Sequence, residues 1–187
     1  MIIFESSPYD ASSMSSHLGK GAYSYAFVRK AFARTLSKLG VVVPISDLAS
    51  AESIIRAART DDDNCVHFAF SPPHEIATTQ SCPTVPVFAW EFETIPTETW
   101  DEERRNDWRV TLQDAPFAIT HSAFAAEATK RAMGDKFAVW SIPAPIYSVY
   151  SGVRAPTHSG ATRSHLRTKA VAFDVNTLDL SIFSQTQ

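Results

Sequence analysis

No apolar run in this 187-residue chain approaches the ~20 residues that a membrane-spanning helix needs. The opening Met1-Ile2-Ile3-Phe4-Glu5 has no basic segment and soon turns polar, unlike a signal peptide. Cysteine is scarce. Cys65 and Cys82 lack metal-ligand spacing, and a reduced, cytoplasmic setting is the default for such a chain. There is no excess of positive charge: the net charge of -3 gives no support to nucleic-acid binding as a main role. Internal repeats are absent, and so are the spacing of a Walker phosphate loop and the Gly-x-Ser-x-Gly elbow of a hydrolase. Without that elbow, Ser122 beside His121 does not suggest a triad. What remains is a globular composition, 44% hydrophobic and 20% charged, long enough for one well-packed domain and a little more.

Short β-branched or aromatic runs alternate with helical spacing along most of the chain. Ile2-Ile3-Phe4, Val41-Val42-Val43, Cys65–Phe70, Val85–Ala89, Phe117–Thr120 and Phe137–Trp140 read as strands, with Pro86 an irregularity near the start of the fourth. Between them, Val28, Phe32, Leu36 and Leu39 recur at helical intervals in a helix from about Tyr23 that Gly40 stops. Ser50 and Ser122 are N-cap candidates, and Gly134 ends the helix that Ser122 opens. Thr99-x-x-Glu102 fits a capping box and predicts a helix to about Gln113. This alternation means an α/β fold: a parallel sheet with helices on both faces. From Ser151 to Thr168 the composition turns to Ser, Thr, Gly, Pro and Arg, which reads as a linker. Lys169–Asn176 then looks like one more strand, so residues 169–187 are expected to begin a second, truncated domain after a first of residues 1–150.

The carboxyl edge of a parallel sheet is where open α/β folds bind ligands, and one strand ends there in Trp90-Glu91-Phe92-Glu93. Glu91 and Glu93 would share a side if that segment is extended. They could then hold an acceptor hydroxyl, one of them as a base; a solvated loop or helix caps are the plainer alternative. Trp90 and Phe92 read mainly as packing. Gly19-Lys20-Gly21 at a helix entrance could bring backbone N–H groups against a phosphate or sugar, or could be a turn and nothing more. Of His67, His74 and His121, each most simply structural, His74 is the best placed because it follows a strand. Asp61-Asp62-Asp63 contains an Asp-x-Asp but follows a helix, where adjacent carboxylates are usually solvated; no metal site is expected. Arg104, Arg105 and Arg109 read as a wet helix face.

Taken in order, Gly19-Lys20-Gly21, Trp90-Glu91, Pro96, Trp100, Asp114, Ser122-x-Phe124 and Ser141-Ile142-Pro143 resemble the N-terminal, acceptor-side domain of family 4 glycosyltransferases with the GT-B fold. Phe173-Asp174-Val175-Asn176 faintly resembles the first strand of that family's donor domain. The resemblance implies a Rossmann-like half of a sugar-transferring enzyme. It implies Glu91 as the catalytic carboxylate and Gly19, Lys20, Gly21, His74 and Glu93 as acceptor contacts. It also implies a nucleotide-sugar donor as substrate rather than a bound cofactor, a glycan or lipid-linked acceptor, and a donor domain that could be a partner chain. The family's two glutamates eight positions apart are missing, since no Glu in this chain has a Glu eight residues later. A non-catalytic binding module that keeps the fold is the alternative.

Overall fold

The computed structural model describes residues 1–8, 24–59 and 64–145. All of them fall in the first of two units, Met1–Ser151, the second being Gly152–Gln187. The expected linker, the Lys169–Asn176 strand, the Gly19–Gly21 loop and the Asp61–Asp63 run lie outside the described residues.

Six strands form one fully parallel sheet: β1 (Ile2–Ser6), β2 (Val41–Ile45), β3 (Cys65–Phe70), β4 (Thr84–Phe88), β5 (Ala118–Thr120) and β6 (Val139–Ser141), in the order β2-β1-β3-β4-β5-β6. The expected Rossmann-like α/β sheet is thus present, with the Val85–Ala89 run as β4 in its interior. Among the described residues, four α-helices flank it: α1 (Ser24–Leu36), α2 (Ala51–Ala58), α3 (Trp108–Leu112) and α4 (Ala123–Met133). Successive strand residues point to opposite faces, and β1 shows both. Ile3 packs with Phe32 and Leu36 of α1, while its neighbour Phe4 packs with Ala51 and Ile55 of α2.

Pro86 is tolerated for a specific reason. The carbonyls of Pro83 and Val87 accept from His67 and Ser71 on the β3 side, so position 86, of opposite parity, faces β5. Pairing with β5 begins only at Val87↔Ile119, past the point where the missing N–H would be needed. Pro44 lies exposed on edge strand β2, where a proline blunts further pairing.

Ser122 and Gly134 behave as their residue types require. The Ser122 hydroxyl accepts from Ala125 N–H, and Gly134 sits at φ 89, a left-handed conformation cheapest for glycine. Gly40 serves a different need. A Cβ there would meet the Met1 carbonyl oxygen at 2.4 Å, and Val41 N–H holds that oxygen at 3.2 Å. Gly40→Ala should therefore destabilise the protein by about 1–3 kcal/mol in a denaturant titration.

One sequence expectation is corrected. The Thr99–Gln113 helix does not form: Asp101 and Glu102 take positive φ, 52 and 57, and Trp100 bridges to Glu103. A short 3-10 turn follows at Arg104–Asn106, and α3 starts only at Trp108, with the Asp107 carboxylate accepting from Arg109 N–H as cap. The cap of the preceding turn is Glu103, whose side chain accepts from Arg105 N–H. The helix shortens because Trp108 is drawn into the core, and its backbone N–H donates to Pro96 O. Among the described residues no helix is long and apolar enough to cross a membrane.

Candidate functional site

All six strands run the same way, so the loops after β3 and β4 and the entry to α1 lie at one edge. There they enclose a hollow of about 230 Å³ lined by Ser24, Tyr25, Pro72, His74, Ala89, Trp90, Glu91 and Trp108. Three walls are aromatic. Trp90 packs edge-on against Trp108 at 4.5 Å, and the His74 ring stacks on Trp108 at 6.0 Å.

Each wall is fixed by a bond that its residue type supplies. The Tyr25 hydroxyl donates to Ala89 O at 3.3 Å and accepts from Ala89 N–H at 3.2 Å. It thereby pins the exit of β4 to the start of α1. Burial pushes the Tyr25 hydroxyl far above its ordinary value, opposed by the Ala89 hydrogen bond, and it stays neutral. Trp90 Nε1–H donates to Thr94 O at 2.8 Å, folding Glu91–Thr94 into a bend. In that bend the two-residue period of a strand no longer applies. Glu91 lines the hollow, while Glu93 is not among its lining residues and offers its backbone carbonyl to Arg131. Phe92 contacts Trp90 at 5.0 Å and is otherwise exposed.

His74 has a defined tautomer. Indole N–H is only a donor, so the Trp108 Nε1–His74 Nδ1 contact of 3.0 Å makes Nδ1 the acceptor. The proton then sits on Nε2, 3.7 Å from Glu75 Oε1. Burial lowers the His74 pKa, Glu75 opposes this, and Arg105 adds to it. Neutral His74 can thus donate Nε2–H to an oxygen, while its other nitrogen is occupied and unable to act as a base.

Of the sequence-derived site residues, the structure brings Glu91 and His74 together in one hollow with Tyr25, Trp90 and Trp108. It leaves Glu93 outside. Gly19, Lys20 and Gly21 lie outside the described residues. His67 is structural: wholly buried, it contacts Ser6 Oγ at 2.8 Å and Thr84 Oγ1 at 3.2 Å. Arg104 and Arg109 are exposed, as a wet face requires, whereas Arg105 is half-buried. Arg105 donates to Ile76 O, and Arg109 holds Asp107 and Thr97 O.

Sequence reasoning missed Tyr25, Trp108 and Glu5. Glu5 is buried on the α1 face of β1; burial raises its pKa and the Arg29 charge partly offsets this. Its signal was a carboxylate closing an otherwise apolar first strand. Glu5 Oε2, Glu75 Oε2 and His121 Nε2 are buried without a hydrogen-bond partner among the described residues; Glu5 lies within β1, Glu75 in the loop after β3, and His121 directly after β5.

A larger hollow, about 660 Å³, opens at the amino edge beside Thr79, Thr84 and Pro116. Its lining is mostly threonine and proline with one carboxylate, Asp114, and it has none of the aromatic walls of the smaller one. No group of three His, Cys, Asp or Glu side chains suited to a metal occurs among the described residues. Comparison with protein-family models, curated proteins and solved structures returns no match for this chain, and the reading of the site rests on its geometry.

Proposed function

We propose that this chain is the acceptor-side half of a GT-B type glycosyltransferase and that the carboxyl-edge hollow receives a sugar of the acceptor. The observation that carries the reading is the combination of Tyr25, Trp90 and Trp108 as walls with Glu91 and His74 as polar groups in one hollow. A sugar ring has apolar C–H faces that rest on aromatic rings and hydroxyls that need both donors and acceptors. Here His74 Nε2–H is a donor and the Glu91 carboxylate an acceptor. In transfer, the bond from the sugar's anomeric carbon to the nucleotide diphosphate breaks as a bond to an acceptor hydroxyl forms. Glu91 would hold that hydroxyl and take its proton, and the fixed walls would supply orientation. Gly19, Lys20, Gly21 and Glu93 stay in the proposal as further contacts for a glycan or lipid-linked acceptor. A donor-binding domain or partner chain would bring the nucleotide sugar to this edge, and the reaction would belong to the cytoplasm.

The aromatic walls of the hollow also fit a second reading, a non-catalytic binding module that keeps the fold without transfer chemistry. One experiment bears on both. Titrating the protein with mono- and oligosaccharides should quench tryptophan fluorescence saturably, whereas nucleotide sugars should bind negligibly to this chain alone. Glu91→Gln should weaken the saccharide response about 10-fold, the loss of one hydrogen bond to a charged group, with stability changed by less than about 0.5 kcal/mol. Silence toward every saccharide, or an unaltered response in Glu91→Gln, sinks the site. Turnover on adding a donor-binding partner separates the enzyme from the module.

A further inference from the structure

The two cysteines are 17 positions apart in sequence, and the sheet makes them neighbours. β3 and β4 pair in register from His67↔Thr84 to Phe70↔Val87. Carried back two residues, that register sets Cys65 opposite Cys82 on the face where the His67 and Thr84 side chains already touch. The last ladder bond toward that end, His67 N–H to Pro83 O at 2.9 Å, stops one residue short of Cys82, and a hydrogen bond joins the two thiols directly. Cys65 Sγ also lies 3.7 Å from the carbonyl of Ser81, the residue before Cys82. Both thiols are free and belong to the same apolar cluster beneath α2. Neighbouring strands stand about 4.8 Å apart, inside the roughly 4.4–6.8 Å Cα separation that a disulfide spans.

We propose that Cys65 and Cys82 are a site of reversible oxidation, closing a cross-strand disulfide when the protein meets a peroxide. Cys65 is half-buried and reacts first, whereas Cys82 is buried. The Cys65 sulfur attacks hydrogen peroxide and the O–O bond breaks, giving a sulfenic acid and one water. The Cys82 sulfur then attacks the Cys65 sulfur, the S–O bond breaks, and the departing hydroxide leaves as water with the Cys82 proton. Two thiols are oxidised and one peroxide is reduced to two waters. Burial, reinforced by a hydrogen bond with Cys65, pushes the Cys82 thiol up. A thiol reductant restores the pair.

The bond has a consequence for the carboxyl edge. It closes the chain from Cys65 to Cys82, the excursion that carries Pro72, His74 and Glu75 to that edge and back. Oxidation restrains this excursion at its base and leaves its tip free to hold the hollow's wall.

The test uses the whole chain. Treated with stoichiometric hydrogen peroxide and then an alkylating agent, the monomer should lose about 2 Da, the two thiol hydrogens, and escape alkylation. With only two cysteines in the chain, an intramolecular disulfide can be no other pair. The Tm should rise by about 5 °C and fall back with dithiothreitol, and Cys65→Ser should show neither change. A gain of about 16 or 32 Da on one cysteine, a disulfide-linked dimer, or an unchanged mass would each overturn the proposal. The mass of the wild-type protein decides it even if a cysteine variant fails to fold.

Discussion

Replacing Trp108 with alanine is expected to cost about 3–5 kcal/mol of stability, the range for truncating a buried aromatic, and to abolish any ligand response of the hollow. Trp108 is 2% exposed, yet it lies in a run of charged residues, with Arg104, Arg105, Asp107 and Arg109 around it. Its ring meets Phe88 edge-on at 5.5 Å and Trp90 at 4.5 Å, and it supports the face of His74. Removal empties the junction of β4, α3 and the loop after β3 at once. Trp108→Phe helps to separate the two roles, because it keeps an aromatic ring in the core while losing the indole N–H together with the pyrrole edge. That variant should lose about 1–1.5 kcal/mol and free His74 Nδ1. A hydrogen bond accepted at Nδ1 favours the neutral ring, so the His74 pKa should rise in Trp108→Phe, read by NMR. If Trp108→Ala unfolds within 1 kcal/mol of wild type, the aromatic wall is surface decoration and the site assignment loses its frame.

Trp108 also shows where local sequence rules stop. The strands were legible because each is a short apolar run closed by punctuation, as Cys65–Phe70 is closed by Ser71-Pro72-Pro73. The caps at Ser122 and Gly134 were legible because each needs only its own few neighbours. The Thr99–Gln113 segment was not, since its backbone answers to distant groups. Pro96 O receives the Trp108 N–H, Thr97 O receives Arg109, and Trp100 O receives the Asn106 side chain. Those bonds outweigh a capping box that matches in sequence alone. The site divides in the same way. Trp90-Glu91 announced itself as carboxylate and indole at a strand's end. Tyr25 read as an ordinary first turn, because its partner Ala89 is 64 residues away. A lone tryptophan among charges was the available signal for Trp108, and a carboxylate ending an apolar strand was the signal for Glu5.

His67 should make the fold acid-sensitive in a window set by its own titration. Its ring is wholly buried between Ser6 Oγ and Thr84 Oγ1, and burial lowers its pKa from 6.5 to about 4. The unfolded chain therefore binds the proton more readily than the folded one. The stabilisation is present in full above the unfolded value and is lost as pH falls through the folded one. A displacement of that size corresponds to about 3 kcal/mol, most of it gone by pH 4. Other groups titrate nearby. His74 and His121, also lowered, act in the same direction, whereas Glu5, with its raised pKa, is better tolerated in acid. Glu52, held down to about 2 by Ser81 and opposed by its own desolvation, retains its contribution until lower pH. The clean readout is consequently a difference. His67→Gln keeps hydrogen-bonding capacity toward Ser6 and Thr84 but cannot take up a proton in this range. Urea titrations at pH 7, 5.5 and 4 should show wild type losing about 3 kcal/mol more than His67→Gln across the series. Parallel pH profiles for the two proteins would mean that His67 is already hydrated in the native state, and that β1, β3 and β4 pack less tightly around it than their hydrogen bonds indicate.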